Sequence, residues 1–238
     1  MHAGRRIIVA ASIAMLLLAV RATFAAPAAS EEKEKEKVLR RLDAAAVNFH
    51  STSADFEFDS VTTDPIYEKD VQTGTVYYDR TGKNFRMAAH IREFNKKKIE
   101  KVYMFSGGVF KLFEGDAVNQ VTTFSKLSQY ESWFMLGFGA SGKDLEEKWE
   151  IKYLGSETID GVKTEKLELV AKDPAVRKNI PKVTVWMDTE RGINLKQVFD
   201  EGPGQHRDCF YFNIKPNQAL PADAFTFKTD SKTQQVNR

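Results

Sequence analysis

From Ala54 to Ile214 most of this chain is written in twos. Large apolar residues alternate with polar ones in short runs: "ADFEFDSVT", "TGTVYYD", "KNFRMAAHI", "EKVYMFS", "VFKLFE" and "AVNQVTTF". Glycine, asparagine and aspartate turns separate them, and Gly107-Gly108 and Asp160-Gly161 are compact hairpin signals. After Glu147 the pattern resumes through "KWEIKYLGSETI", "KTEKLELVA", "KVTVWMD", "INLKQVF" and "HRDCFYFNI", and "AFTFK" closes it. Period-two alternation on this scale predicts about ten or eleven antiparallel strands. A meander of that length must close on itself or have its edges covered. With 17 phenylalanines available, the expected product is mainly β: a closed or half-closed barrel around an apolar interior.

Two stretches break the alternation. "EEKEKEKVLRRLDAAAVNFHS" reads as a helix. Glu31/Lys35 and Glu36/Arg40 are spaced to pair, and Val38, Leu42, Ala45, Ala46 and Phe49 share one face. Its charge is mixed, whereas a membrane-surface helix would present a basic face. The second break runs from Ser125 to Glu147 and contains "WFMLGFGASGKDL". Here Gly137-x-x-x-x-Gly142-Lys143 approaches a phosphate-cradling loop, but that loop needs Ser or Thr next, to bind magnesium. Asp144 stands there, a carboxylate that would repel phosphate, and no βαβ unit surrounds it. "GASGK" also fails as a nucleophile elbow, because Lys143 replaces the final glycine. What remains is apolar: Trp133, Phe134, Met135, Leu136 and Phe138 crowd together, followed by glycines at 137, 139 and 142. Two readings stand open, a short helix plugging the core and a lid hinged on glycines over an apolar cavity.

The N-terminus reads as an export signal. Arg5 and Arg6 precede an apolar run from Ile7 to Val20, shorter than the roughly 20 residues that span a bilayer. Small residues follow, so cleavage is expected between 25 and 28. Residues 1–28 hold three of the 35 basic residues and none of the 33 acidic ones, leaving 32 against 33 in the remainder. The apparent basicity therefore belongs to the signal, and no nucleic-acid footprint remains. Cys209 is the lone cysteine; it can form no internal disulfide, lies far from the signal where a lipid anchor would sit, and reads as a small buried hydrophobe. His2 falls in the signal, and His50, His90 and His206 lie far apart with no metal or catalytic spacing. No carboxylate pair is singled out. The expectation is a protein soluble in the periplasm, not an enzyme, with no metal and no cofactor.

Taken in order, these segments resemble the LolA-like family, the periplasmic carriers of outer-membrane lipoproteins. "VLRRLDAAAVNFHSTSADFEFD" is similar to the family's opening helix and first strand, and "GTVYYDRTGKNFRM" to its strand ending in Arg before a turn and Phe-Arg. "MFSGGVFKLFE" is similar to its Ser-x-Gly hairpin, "SWFMLGFG" to its lid, and "KVTVWMDTERGINLKQVFDEGPGQHRDCFYFNIKPNQALPADAFTFK" to its closing meander. The resemblance covers Val38 to Lys228. It implies a half-open, strongly curved antiparallel β-barrel with a helical lid. It also implies carriage of lipoprotein acyl chains, received from an inner-membrane ABC transporter complex and yielded to an outer-membrane receptor. By position Arg80 matches the family's strand-end Arg, which holds the lid through backbone carbonyls. Thr81-Gly82 follow where the family has Pro, so Arg86 stands as a second candidate latch.

The expected organisation is a signal at 1–28, a charged leader at 29–34, a LolA-like binding domain at 35–229 and a flexible tail at 230–238, as a monomer. The expected cavity lining is Phe56, Phe58, Val76, Tyr78, Phe85, Met87, Val102, Met104, Phe110, Leu112, Leu167, Leu169, Val185, Met187, Phe210 and Phe212. The expected cargo is acylated lipoprotein or lipid. The alternatives are a lipid-binding sensor of the same fold without a transport role, and an envelope hydrolase, for which no site is visible.

Overall fold

The computed structural model describes residues 25–81, 84–134 and 136–238. Of the export signal read at 1–28, residues 1–24 lie outside them, as do Met135 and the side chain of Trp133; residues 25–28 open the first helix. Helix α1 (Ala25–Val47) leads into β1 (Ser51–Thr62), β2 (Glu68–Thr81), β3 (Asn84–Phe94), β4 (Lys97–Ser106) and β5 (Val109–Glu114). A single helical turn, α2 (Gly115–Val118), precedes β6 (Gln120–Phe124). A 3-10 turn (Ser128–Tyr130), α3 (Glu131–Phe134) and α4 (Gly142–Lys148) connect to β7 (Trp149–Ile159) and β8 (Val162–Ala171). Helix α5 (Pro174–Asn179), β9 (Lys182–Asp188), β10 (Ile193–Gly202), β11 (Gln205–Pro216) and β12 (Gln234–Asn237) complete the series.

Among the described residues, twelve strands form one curved, open sheet, in the order β12-β6-β5-β4-β3-β2-β1-β11-β10-β9-β8-β7. Every pairing is antiparallel except β12 with β6. The chain steps outward from β1 to β6, starts again at the far edge with β7, and steps inward to β11 beside β1. The link from β6 to β7 must therefore travel from one side of the sheet to the other. This is why alternation fails between 125 and 148: the segment crosses the concave face and belongs to no strand. Register shifts at Thr73/Gly74, Ile91/Glu93, Tyr153/Gly155 and Asn194/Lys196 mark bulges, which bend their strands and deepen the curvature.

Helix α1 lies over the β7–β9 half. Its surface charges pair along the helix, Lys35 with Glu32 at 2.6 Å and Arg40 with Glu36 at 3.5 Å. Its buried face, Val38, Leu39 and Leu42, meets Leu167, Leu169, Val183, Val185 and Met187 in one core. Arg41 donates to Glu165 on β8 at 2.7 Å. The residue that spoiled the phosphate loop has a structural role here. Asp144 completes a capping box on α4, with Ser141 Oγ accepting from Asp144 N at 3.0 Å and Asp144 Oδ2 accepting from Ser141 N at 3.2 Å.

The C-terminus departs from expectation. "AFTFK" forms no strand; it lies across the convex face, where Phe227 covers Val102, Phe113 and Val121. His90 Nε2 is 2.9 Å from the Ala224 carbonyl. The expected loose tail contains β12, which pairs with β6 and makes the strand count twelve. It is anchored by Asn119 Nδ2 donating to Asp230 at 3.0 Å and by Thr233 Oγ1 donating to Asn119 Oδ1 at 2.8 Å. Its polar residues gave no alternation to read, because an edge strand open to water has no apolar face to hide.

Candidate ligand cavity

Away from α1 the concave face is hollow. Between β1–β5, β10–β11 and the crossing segment lies a cavity of about 680 Å³, within the ~300–1,000 Å³ range of small-ligand sites. Its wall is made of inward-facing positions: Phe56 and Phe58 on β1, Val76 and Tyr78 on β2, Met87, Ala89 and Ile91 on β3. Gln197 and Phe199 on β10 and Cys209 and Tyr211 on β11 close the other side. Leu127, Tyr130, Phe134 and Leu136 of the crossing segment roof it. Phe134 stacks on Phe105 and Phe110, with centroids 4.4 and 5.6 Å apart.

The expected lining residues divide by strand face. Phe56, Phe58, Val76, Tyr78, Met87 and Phe110 sit together on the cavity wall. Phe85 faces the same way but is packed in the core beside Tyr78 and Phe105. Leu112 shares the inward face of Tyr103, its register partner, yet lies outside the cavity. Leu167, Leu169, Val185 and Met187 face inward beneath α1, where no space remains. Val102, Met104, Phe210 and Phe212 are on the convex side, a correction of one residue in register. On β4 the inward residues are Tyr103 and Phe105, partners of Ala89 and Met87. On β11 they are Cys209 and Tyr211, partners of Phe58 and Phe56. Both strands carry large apolar residues on both faces, so alternation alone does not choose between them; Phe212 is 44% exposed.

The roof is fastened on one side. Phe138 is 1% exposed, forms an isolated bridge with Ile193 and lies against the Tyr78 and Tyr211 rings at 4.4 and 5.0 Å. Asn194 N donates to the Gly137 carbonyl at 2.7 Å, and Gly139 N to Gly192 at 2.9 Å. The Leu136 carbonyl accepts from Asn194 Nδ2 at 2.9 Å and from Gln197 Nε2. Arg80 reaches this segment, its Nη1 donating to the Gly139 carbonyl at 2.6 Å and its Nη2 lying 3.4 Å from Asp144 Oδ2. Arg86 does not reach it; its guanidinium pairs with Asp79 and lies 4.0 Å over the Phe225 ring. Glycines 139 and 142 are required by close contact with α1 and its exit. A Cβ at 139 would fall 2.2 Å from the Phe49 ring, and one at 142 would fall 2.4 Å from the Leu39 carbonyl. In this arrangement both glycines allow close packing.

The cavity wall is nearly uncharged. Burial pushes the Cys209 thiol up to about 12 and raises the Tyr78 and Tyr211 hydroxyls, so all three stay neutral at physiological pH. Tyr211 donates to Gln197 Oε1 at 3.3 Å. Toward the β1–β2 and β10–β11 turns the wall becomes polar, with Ser60, Gln72 and Arg207. Sequence reasoning passed over these residues, and over Tyr103, Tyr130 and Gln197. The legible signal was β1: once Phe56 and Phe58 face inward, register assigns the inward residues of β11 and β2. Among the described residues no group of His, Cys, Asp and Glu could hold a metal ion, and no helix is long and apolar enough to cross a membrane.

No family model matches the chain. Over 138 residues, 55% of its length, it is 28% identical to an uncharacterized protein of Methanocaldococcus jannaschii, spanning 38% of that protein. Among solved structures it is similar to an uncharacterized conserved protein from Thermus thermophilus (TM-score 0.53, 11% identity, 85% of this chain and 98% of that one). It is also similar to a chain of the Pseudomonas aeruginosa MucA/MucB complex (TM-score 0.50, 13% identity, 85% and 63%). A LolA superfamily protein from Nitrosomonas europaea matches at TM-score 0.40 and 16% identity, over 81% and 97%. The fold, one curved, open, mostly antiparallel sheet with helices across its concave face, is similar to that of the Thermus thermophilus protein.

Proposed function

We propose that this protein binds the acyl chains of lipids or lipoproteins in its cavity and carries them through the cell envelope. The observation that carries this reading is the apolar hollow of about 680 Å³, walled by Phe56, Phe58, Val76 and Met87 and roofed by Phe134 and Leu136. Removing an acyl chain from water yields about 0.8 kcal/mol per CH₂. A chain of about sixteen carbons therefore gains roughly 12 kcal/mol before the costs of ordering it. A carrier must also release its cargo, and a roof fastened at 136–139 and free of strand pairing at 127–134 suits both steps. In this reading Arg80 acts as the latch, cargo arrives from an inner-membrane transporter complex, and it leaves to an outer-membrane receptor.

A second reading draws on the likeness to the MucA/MucB complex: a lipid-binding domain that reports its occupancy to a protein partner. Native mass spectrometry of protein purified from the periplasm tests the common premise, and co-purifying lipid or acylated protein is expected. Incubation with membranes bearing a labelled lipoprotein separates the two readings, since a carrier solubilises the label. Protein that arrives empty and extracts nothing from membranes rules out the carrier.

A further inference from the structure

Arg207 is the one charged residue among the described residues lining the cavity. The register sets it opposite Ser60 on β1, and Gln72 of β2 opposite Phe58, one step along the same face. These three side chains make one end of an otherwise apolar wall polar. The Arg207 guanidinium is 5.9 Å from the centre of the Phe58 ring, and its Nη2 forms an ion pair with Glu201 Oε1 at 2.7 Å. Its Nε is buried with no hydrogen-bond partner. Glu201 thus engages only part of the planar donor fork.

A buried guanidinium donor left unpaired is costly, and an arginine fork is shaped for carboxylate and phosphate oxygens. We propose that the cavity takes a lipid with an anionic oxygen head, whose chain lies along Phe56, Phe58 and Met87 and whose head pairs with Arg207, assisted by Ser60 and Gln72. The inference rests on the acyl-chain reading of the cavity and narrows it. The acyl groups of a lipoprotein are esters and amides and carry no anionic oxygen, whereas fatty acids and phospholipids do.

The test uses the full chain with N-phenyl-1-naphthylamine, a neutral dye that fluoresces in apolar cavities, displaced by hexadecanoate, hexadecyl phosphate or hexadecanol. Both anions, or the one that matches the natural head, should displace the dye at concentrations at least about tenfold below the alcohol, as expected for a hydrogen bond to a charged group. Which anion is tighter distinguishes a carboxylate head from a phosphate head. Arg207→Gln should abolish the preference and leave hexadecanol within about threefold of wild type. If all three chains displace the dye equally, or the variant weakens all three alike, the head site is refuted while the cavity reading survives. If no chain displaces the dye from the wild-type protein, the cavity reading itself fails. Should Arg207→Gln not fold, Glu201→Gln carries the test: loss of the competing carboxylate should tighten both anions severalfold, and unchanged affinity overturns the proposal.

Discussion

The two halves of the concave face are built from the same alternating pattern and end in opposite states. Under α1, the inward residues of β8 and β9 are Leu167, Leu169, Val183, Val185 and Met187, each at most 1% exposed. Leu42 and Val38 fill the space above them. Across β1–β3 and β11 the inward set mixes large rings with small residues, Ser60, Ala89 and Cys209 beside Phe56, Phe58 and Tyr211. The crossing segment, with the single-turn helix α3, spans this half from above. An alternating strand therefore promises an apolar face, and the element laid over it decides whether that face becomes core or cavity.

That contrast can be broken most forcefully at Leu42. Leu42→Ala should cost about 2–5 kcal/mol in urea unfolding, the range for emptying a packed site, whereas Met87→Ala on the cavity wall should cost markedly less and alter dye binding instead. Equal losses would mean the cavity is packed like the core. Next in size is a paired enlargement. Ala171→Leu, at a 2% exposed position in the packed half, should destabilise by about 1–3 kcal/mol. Ala89→Leu should leave the melting temperature nearly unchanged and reduce lipid uptake by filling the hollow.

The roof supplies a smaller effect. Arg80→Ala removes the bond to the Gly139 carbonyl and should cost about 1 kcal/mol. Amide exchange at residues 136–139 should quicken while that of β8 and β9 stays unchanged; uniform acceleration would deny Arg80 a local role. The smallest effect concerns Glu165, which tethers α1. Burial raises its pKa, but hydrogen bonds from Ser156, Arg41 and Tyr153 outweigh that and hold the carboxyl below its ordinary value. A carboxylate with a lowered folded pKa stabilises above its unfolded pKa and loses that contribution as pH falls through the folded value. The stability advantage of wild type over Glu165→Gln should be full at pH 7 and shrink below about pH 4.5. A difference independent of pH would remove the charge from the explanation.

Much of this was legible beforehand. The strands, the opening helix and the break at 125–147 followed from periodicity, and Phe56, Phe58, Val76, Tyr78 and Met87 were read onto the right face. The errors cluster where both faces of a strand are apolar. On β4, Val102 and Met104 alternate as convincingly as Tyr103 and Phe105. On β11, Phe210 and Phe212 outrank Cys209 and Tyr211 in hydrophobicity yet face outward. Arg207 was passed over because an arginine on an alternating strand reads as solvent-facing.

Local chemistry, then, is enough to give this chain its strands, its turns, its helical opening and the break in its meander, because period, turn residues and caps act within a few positions. Which face looks inward on β4 and β11, which half of the sheet is filled, and which glycines touch α1 depend on pairings between residues far apart in the chain. Those pairings are set by register with β1 and by the path of one crossing segment. The cavity exists because that segment spans the sheet above β1–β5 while α1 packs over β7–β9.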